Sequence, residues 1–597
     1  MTSRFPMRLT ALLAALGACV APALAGEEQV PESPALLQAL VDELARSMEL
    51  QMEDLERPYF IQYNVGDVLS YDLSAKYGAL TSCKRERTRR LYTRVRVGSY
   101  ELDNTNFAGD EGIFFFFGGR REGGQAELPI DDDYQAIRQA IWRVTDQDYK
   151  DAVETLTRKR AYMRDKNIVD RPADFTPAEP VEHFEPPAVL RFDLETWKQN
   201  LERISGHFKQ YAQVQDSDVH LLVAAGNSYV VNSEGTRVRT ADTGALLLIT
   251  VEVQAADGMR LSDCRTYTGD STEELPPVEQ ILADIDALVA ELMAVRDAPV
   301  LEQYVGPVLF DGLAGCQMFQ ALLAEGLAGR VDPVGARRED FPGAENLEKR
   351  LGQRILPRSF QVWDDPTVRK FAGQTLFGHY RYDEEGVPAR RVDLIVDGKL
   401  EKLCLSRAPT RKLSGSNGHA RQPLDGGAPQ AAIGTLFVRD DQGLGAAELK
   451  ARLLEAARDQ GLEYAVRVVA VRSPGLGSTR ADLFSMFRRL QRGRVGGLGD
   501  PVIAYKVYVA DGHEEPFRGC EFGPVQVSDL KDILAAGADP TVYNYVGIGL
   551  GGATPPTTIV APPVLFEELE LYKLEEEYDK LPILPAPLAR EQSLTTR

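Results

Sequence analysis

Histidine and cysteine are scarce in this chain, with six of each in 597 residues. No His-Glu-x-x-His occurs, which removes the commonest helix-borne zinc site. No Cys-x-x-Cys occurs either, which removes the usual structural zinc ribbons and fingers. Cys19, Cys83, Cys264, Cys316, Cys404 and Cys520 lie far apart and outline no disulfide framework, although an oxidising compartment would permit pairing. Positive charge is also short: 68 Lys and Arg stand against 89 Asp and Glu, a formal charge of −21. So acidic a chain repels nucleic-acid backbones and anionic lipid, and neither is expected as a partner. Beyond the N-terminus no apolar run of about 18 residues occurs, so no transmembrane span is expected. No repeat of about 20–50 residues is found.

What is present is ordinary globular composition, 44% hydrophobic and 26% charged, in a chain too long for one core. The 51 glycines and 35 prolines suit a turn-rich, strand-rich architecture. Two basic clusters oppose the overall charge: Lys84, Arg85, Arg87, Arg89 and Arg90, and Arg488, Arg489, Arg492 and Arg494. Both read as solvated strand or loop faces.

Residues 1–25 have the layout of a secretory signal peptide. Arg4 and Arg8 form a basic start, Leu9 to Val20 an apolar stretch, and Ala23-Leu24-Ala25 a small-x-small cleavage site. Cleavage after Ala25 would give an exported, periplasmic or secreted protein. A rival reading takes Leu16-Gly17-Ala18-Cys19 as a lipobox, which would make Cys19 a lipidated N-terminus.

Further along, Ser33-Pro34 caps an amphipathic helix with Leu37, Leu40, Val41, Leu44, Met48 and Met52 on one side. Tyr59 to Val65 and the alternating Leu91 to Val97 read as strands, and Ile113 to Phe117 as a short buried one. Asp131 to Asp133 precede a long helix reaching about Arg164, with Tyr134, Ile137, Ile141, Val144 and Leu156 as its apolar stripe. Residues 170–190 read as a Pro/Glu-rich connection. A helix near 193–211 leads to strands over 219–254, and Pro276-Pro277 starts a helix with Ile281, Ile285, Leu288 and Leu292 inward. A domain boundary is placed near 297, giving domains over 26–297 and 298–580. The second half shows a strand at Pro307 to Phe310, a helix from about Ala314, strands over 391–396, 432–438 and 464–471, and a helix over 447–460 ended by Gly461. Residues 581–597 read as a disordered tail. The class is α+β, with helices among largely antiparallel strands.

Several segments in order resemble the TldD/PmbA metallopeptidase-like family. Val231-Asn232-Ser233-Glu234-Gly235 resembles its turn between two strands. Gly78-Ala79-Leu80 and Asp103-Asn104-Thr105-Asn106-Phe107 resemble an exported branch. Asp383-Glu384-Glu385-Gly386-Val387-Pro388 resembles its acidic loop, and Asp397-Gly398-Lys399-Leu400 its following turn. Ser406 to Thr410, then Ser416-Asn417-Gly418-His419, resembles its Ala-Pro-Thr…Gly-Asn-Gly-Arg segment. The resemblance implies an N-terminal α/β domain, a strongly curved, largely antiparallel C-terminal β domain with inserted helices, and two subunits enclosing a chamber for unstructured peptides.

It also implies where chemistry should sit. Active members carry His-Glu-x-x-x-His on the helix opening the C-terminal domain, with a cysteine near the C-terminus completing the zinc site. Aligned on Phe319 and Gly326, this chain has Gln320 and Glu325 at the histidines and Ala321 at the glutamate. Tyr543 to Thr558, the counterpart of the cysteine region, contains no cysteine. An amide is a poor zinc ligand and a methyl group moves no proton. No catalytic residue, metal ligand or cofactor is therefore expected. His513, Glu514, Glu515 and Cys520 fit no zinc spacing and read as a solvated turn. Cys316 reads as a buried structural thiol, and Ser416 beside His419 as turn chemistry rather than a nucleophile and base.

Three functions follow: a silent family member forming half of a peptide-enclosing homodimer or heterodimer with a zinc-bearing member; a metallopeptidase with unconventional ligands such as Glu325 with His419 or His513; and a homodimeric peptide-binding protein.

Overall fold

The computed structural model describes residues 26–109, 123–336, 346–424, 426–473, 475, 498–549, 552–576 and 578–588. The export signal with Cys19, the Ile113 to Phe117 run, the Arg488 to Arg494 cluster and residues 589–597 lie outside the described residues.

Among the described residues six α-helices punctuate the strands: α1 Pro34–Ser47, α2 Tyr134–Asp165, α3 Leu194–Gly206, α4 Val278–Asp297, α5 Leu313–Phe319 and α6 Ala446–Asp459. Ser33, Asp133 and Asp193 cap the first three by accepting from backbone N–H groups three residues on. The buried side of α1 is Leu36, Ala39, Leu40, Glu43, Leu44 and Ser47, about one residue round from the expected stripe, and Met52 is exposed. Glu43 can turn inward because Arg46 and Arg138 pair with it at 2.9 Å.

The first half is built on a seven-stranded sheet whose centre is two long hairpins. Pro58–Lys76 pairs antiparallel with Ala79–Val97 and with Asp216–Asn232, which in turn pairs with Arg237–Gln254. The expected strands Tyr59 to Val65 and Leu91 to Val97 are the ends of this far longer pair. Alternate side chains of one strand share a face. Ile61, Tyr63 and Val65 pack in a core with α1 and α2, while Leu69, Tyr71 and Leu73 pack in a core with α3 and α4. Between the two sets sits Asp67, fully buried, held by Arg87 and Arg89 at 2.8 Å each. Arg89 has no exposed side-chain surface, so the first basic cluster is not simply a solvated face. The connection at 170–190 contains the short strand Glu182–Phe184, which pairs parallel with Arg237–Gln254.

Among the described residues the second half holds two larger sheets and three two-stranded ones. One runs Glu514–Phe517, Pro501–Tyr508, Tyr464–Val471, Gln303–Phe310, Val564–Lys573 and Cys520–Phe522, with Ile533–Ala536 also on Val564–Lys573. The other runs Lys399–Leu400, Val392–Val396, Phe360–Asp364, Thr435–Asp440, Thr557–Ala561 and Thr541–Tyr545. Most pairs are antiparallel, but Gln303–Phe310 with Tyr464–Val471 and Thr435–Asp440 with Thr557–Ala561 are parallel. The architecture is α+β, without a closed barrel among the described residues. Among the described residues no helix is long and apolar enough to cross a membrane. Helix α5 packs against strands of both second-half sheets and carries Cys316, Met318 and Phe319 into the core between them.

Candidate functional site

Helix α5 does not end as an α-helix. It runs on as a π-helical turn, Gln320–Ala324, before Glu325. That turn changes which residues are neighbours. Positions five apart point about 140° from each other in an α-helix of 3.6 residues per turn. A π-helical turn closes one residue later and brings i and i+5 to one side. Gln320 and Glu325 are such a pair, and both bear on the same neighbour: the Tyr545 hydroxyl lies near the Gln320 amide and feels the charge of Glu325.

Tyr543 and Tyr545 come from Thr541–Tyr545, which lies along α5, and their rings stack at 5.3 Å. The structure thus brings the two histidine-matched positions together with the segment matched to the missing cysteine. Ser473 joins them: its hydroxyl donates to Gln320 Oε1 at 3.4 Å and accepts from Tyr543 Oη at 3.3 Å. Gln317 Oε1 accepts from the Val471 N–H at 2.8 Å. Burial pushes the Tyr543 phenol up to about 12, and burial, Tyr543 and the Glu325 charge raise Tyr545 as well. Both therefore remain hydroxyls that donate. Ala321 contributes only a methyl group and packs against the core. The arrangement can hydrogen-bond and can attract a cation at Glu325. Among the described residues it contains no imidazole or thiolate with which to activate water. Sequence spacing could not have named Ser473, Tyr543 or Tyr545, which reach the helix only through the fold.

The other candidates separate. Cys316 is buried in α5, its thiol donates to the Thr541 carbonyl at 3.2 Å, and burial pushes it up to about 12. Cys520 is buried in the core, whereas His513 is half exposed, stacks on Tyr508 at 4.3 Å and bonds Asp511 at 2.6 Å. Glu514 pairs with Lys450 and Arg467, so these residues make no common metal site. Ser416 Oγ donates to Leu405 O at 3.2 Å and accepts from Gly418 N at 3.1 Å, as a turn residue does. His419 is fully buried with Asp364 at 3.0 Å and the Asn417 carbonyl at 3.0 Å, so both ring nitrogens already face oxygen.

Three of the remaining resemblance motifs, at 231–235, 383–388 and 406–410, meet at the junction of the two halves. Glu384 O accepts from Gln62 Nε2 and Asn64 Nδ2 at 2.8 and 2.7 Å. Asp383 accepts from the N–H groups of Glu385, Val387 and Ala420, and burial followed by the Glu385 charge raises its carboxyl well above the usual range. In the Asn-Ser-Glu-Gly turn only Gly235 takes a positive φ, 107°. Asn232 works through its side chain instead, accepting from Glu234 and Thr236 N–H at 3.0 and 3.1 Å. These motifs therefore build the junction rather than the α5 site.

Residues 302–457 match the family model described as the PmbA/TldA metallopeptidase C-terminal domain. A protein named metalloprotease from Archaeoglobus fulgidus is 30% identical over 149 residues, 25% of this chain and 31% of that protein. Another so named, from Methanothermobacter thermautotrophicus, is 25% identical over 230 residues, 38% of this chain and 47% of that protein. The chain thus spans 31% and 47% of the two curated relatives it matches. TldE from Thermococcus kodakarensis has a similar fold, with a TM-score of 0.54 at 13% identity over 90% of this chain and 99% of that one. So does a Thermotoga maritima protein described as a candidate modulator of a DNA gyrase, with a TM-score of 0.52 at 13% identity over 86% and 96% of the two chains. At such identities the likeness establishes the fold alone. Motifs in order, the matched C-terminal domain and the metalloprotease relatives support a TldD/PmbA family member, metallopeptidase-related, and the TldE-like fold is consistent with it.

Proposed function

We propose that this protein is a catalytically silent member of its family, exported to the cell envelope, where it forms half of a dimer that encloses unstructured peptides. One observation carries the reading. The π-helical turn sets positions 320 and 325 on one side, facing Tyr545, yet those positions hold Gln320 and Glu325, with Ala321 where a general base would stand. An amide, two phenols, a hydroxyl and one carboxylate suit the hydrogen-bonding groups of an extended peptide. They supply neither the soft or borderline ligands of a catalytic zinc nor a proton acceptor for attacking water.

The partner is a second copy or a zinc-bearing family member. In the latter case this chain contributes half the chamber and the partner contributes the chemistry. The test is hydrolysis of unfolded peptides by the purified chain from residue 26 onward. No turnover, with or without added zinc, is the expected result. Chelator-sensitive turnover lost in Glu325→Ala would instead establish a peptidase with unconventional ligands.

A further inference from the structure

The residue following the π-helical turn by three positions leads to a second constellation. Leu327 O accepts from Cys404 N at 2.9 Å, and Gly329 N donates to Cys404 O at 2.8 Å, so Cys404 is stitched to the segment just after Glu325. Its side chain is fully buried, as are those of Asp364 and His419. One oxygen, one ring nitrogen and the sulfur of these three residues all lie within 4.8 Å of one another.

Hydrogen-bond geometry gives the cluster a direction. The Asn417 carbonyl can only accept, so His419 Nδ1 carries a hydrogen. This fixes the ring as metal-ligating histidines are commonly fixed, with the second nitrogen turned toward the Asp364 carboxylate. That nitrogen, Nε2, stands 3.0 Å from Asp364 Oδ1. Two lone pairs cannot face each other there, so a proton or a cation lies between them. Asp364 is itself oriented from outside the cluster, accepting from Gly434 N and Thr435 N. Thr435 Oγ1, beside it, is buried without a hydrogen-bond partner among the described residues.

We propose that Asp364, Cys404 and His419 bind one zinc-type divalent cation inside the second half, separate from the α5 position. Charge supports the assignment. Without metal, one hydrogen lies between His419 Nε2 and Asp364 Oδ1, and the buried Cys404 is a thiol. The site is then neutral overall. A dication displacing those two protons faces one carboxylate, one thiolate and one neutral imidazole, and the site is neutral again. No uncompensated charge is buried in either state, which is what an enclosed ion needs. Mixed sulfur, nitrogen and oxygen donors suit zinc. The cation would tie Phe360–Asp364, the 404–419 segment and, through Cys404, the backbone that follows Glu325.

The experiment uses the full mature chain with the exposed Cys83 replaced by Ser, purified without chelator and supplied with Zn²⁺ or Co²⁺ during refolding. Elemental analysis should find about one zinc per chain, lost in Cys404→Ser and His419→Gln but kept in Glu325→Gln. The Co²⁺ form should show a thiolate-to-metal charge-transfer band, which needs no variant to fold. Absence of that band, zinc that survives Cys404→Ser, or zinc lost only in Glu325→Gln would each overturn the assignment. The last result would also place the metal at α5 and so contradict the proposed silent function separately.

Discussion

Arg407 Nη2 donates to Glu234 Oε1 at 2.6 Å, joining a loop of the second half to a turn of the first. The guanidinium has no exposed surface, stacks 4.0 Å above the Phe175 ring and also donates to Thr176 O at 2.8 Å. Tyr100 bonds the same Glu234 oxygen at 2.6 Å. Arg407 thus ties the two halves together, alongside the bonds from Gln62 and Asn64 to Glu384.

Arg407→Met should destabilise the chain by about 3–5 kcal/mol, because it leaves Glu234 beside a buried apolar surface without its cation. Adding Glu234→Gln should recover a substantial part of that loss. Thermal and denaturant unfolding of the two single variants and the double variant measures the coupling, and strict additivity would contradict it.

Two glycines separate backbone strain from collision. Gly373 and Gly418 both have positive φ, 82° and 80°. A Cβ at Gly373 meets nothing within 4 Å, whereas one at Gly418 would stand 2.3 Å from the Pro388 carbonyl oxygen. Gly373→Ala should cost about 1 kcal/mol and Gly418→Ala on the order of 3 kcal/mol. Equal losses in denaturant titrations would show that Pro388 yields freely.

Burial pushes the Asp148 carboxyl up to about 7, although Thr93 donates to it at 2.8 Å. Its unfolded value is near 4. Between the two, the unfolded chain releases the proton first, so this group makes stability fall as pH rises from about 4 to about 7. The full effect is on the order of 4 kcal/mol and is constant above that window. Asp148→Asn should be more stable than the parent at pH 8, with the difference shrinking toward pH 4. A difference that does not change with pH would contradict the assignment.

Helices with a clear stripe were legible in the sequence: α2, α4 and α6 lie within a few residues of their expected bounds, and the strand over 464–471 matches residue for residue. The long first-half hairpin was legible only at its apolar ends. Its middle carries Arg85, Arg87 and Arg89 opposite Tyr71, Leu69 and Asp67, and buried charge pairing hides a strand from a hydrophobic period. The π-helical turn was hidden for a related reason, since the usual helical period has no place for it. Gln320, Ala321 and Glu325 could be named from the resemblance. It also named the segment that starts at Tyr543, but not the contacts of Tyr543, Tyr545 and Ser473 with the helix, nor the cluster of Asp364, Cys404 and His419, drawn from separate segments with no local spacing.

The central claim is that positions 320, 321 and 325 form a site without hydrolytic chemistry. Its most direct test is cleavage of an unfolded polypeptide by the purified, zinc-supplemented chain, followed by mass spectrometry with and without chelator. The account predicts intact substrate in both arms. Fragments that appear only without chelator, and that vanish in Glu325→Ala, would contradict it.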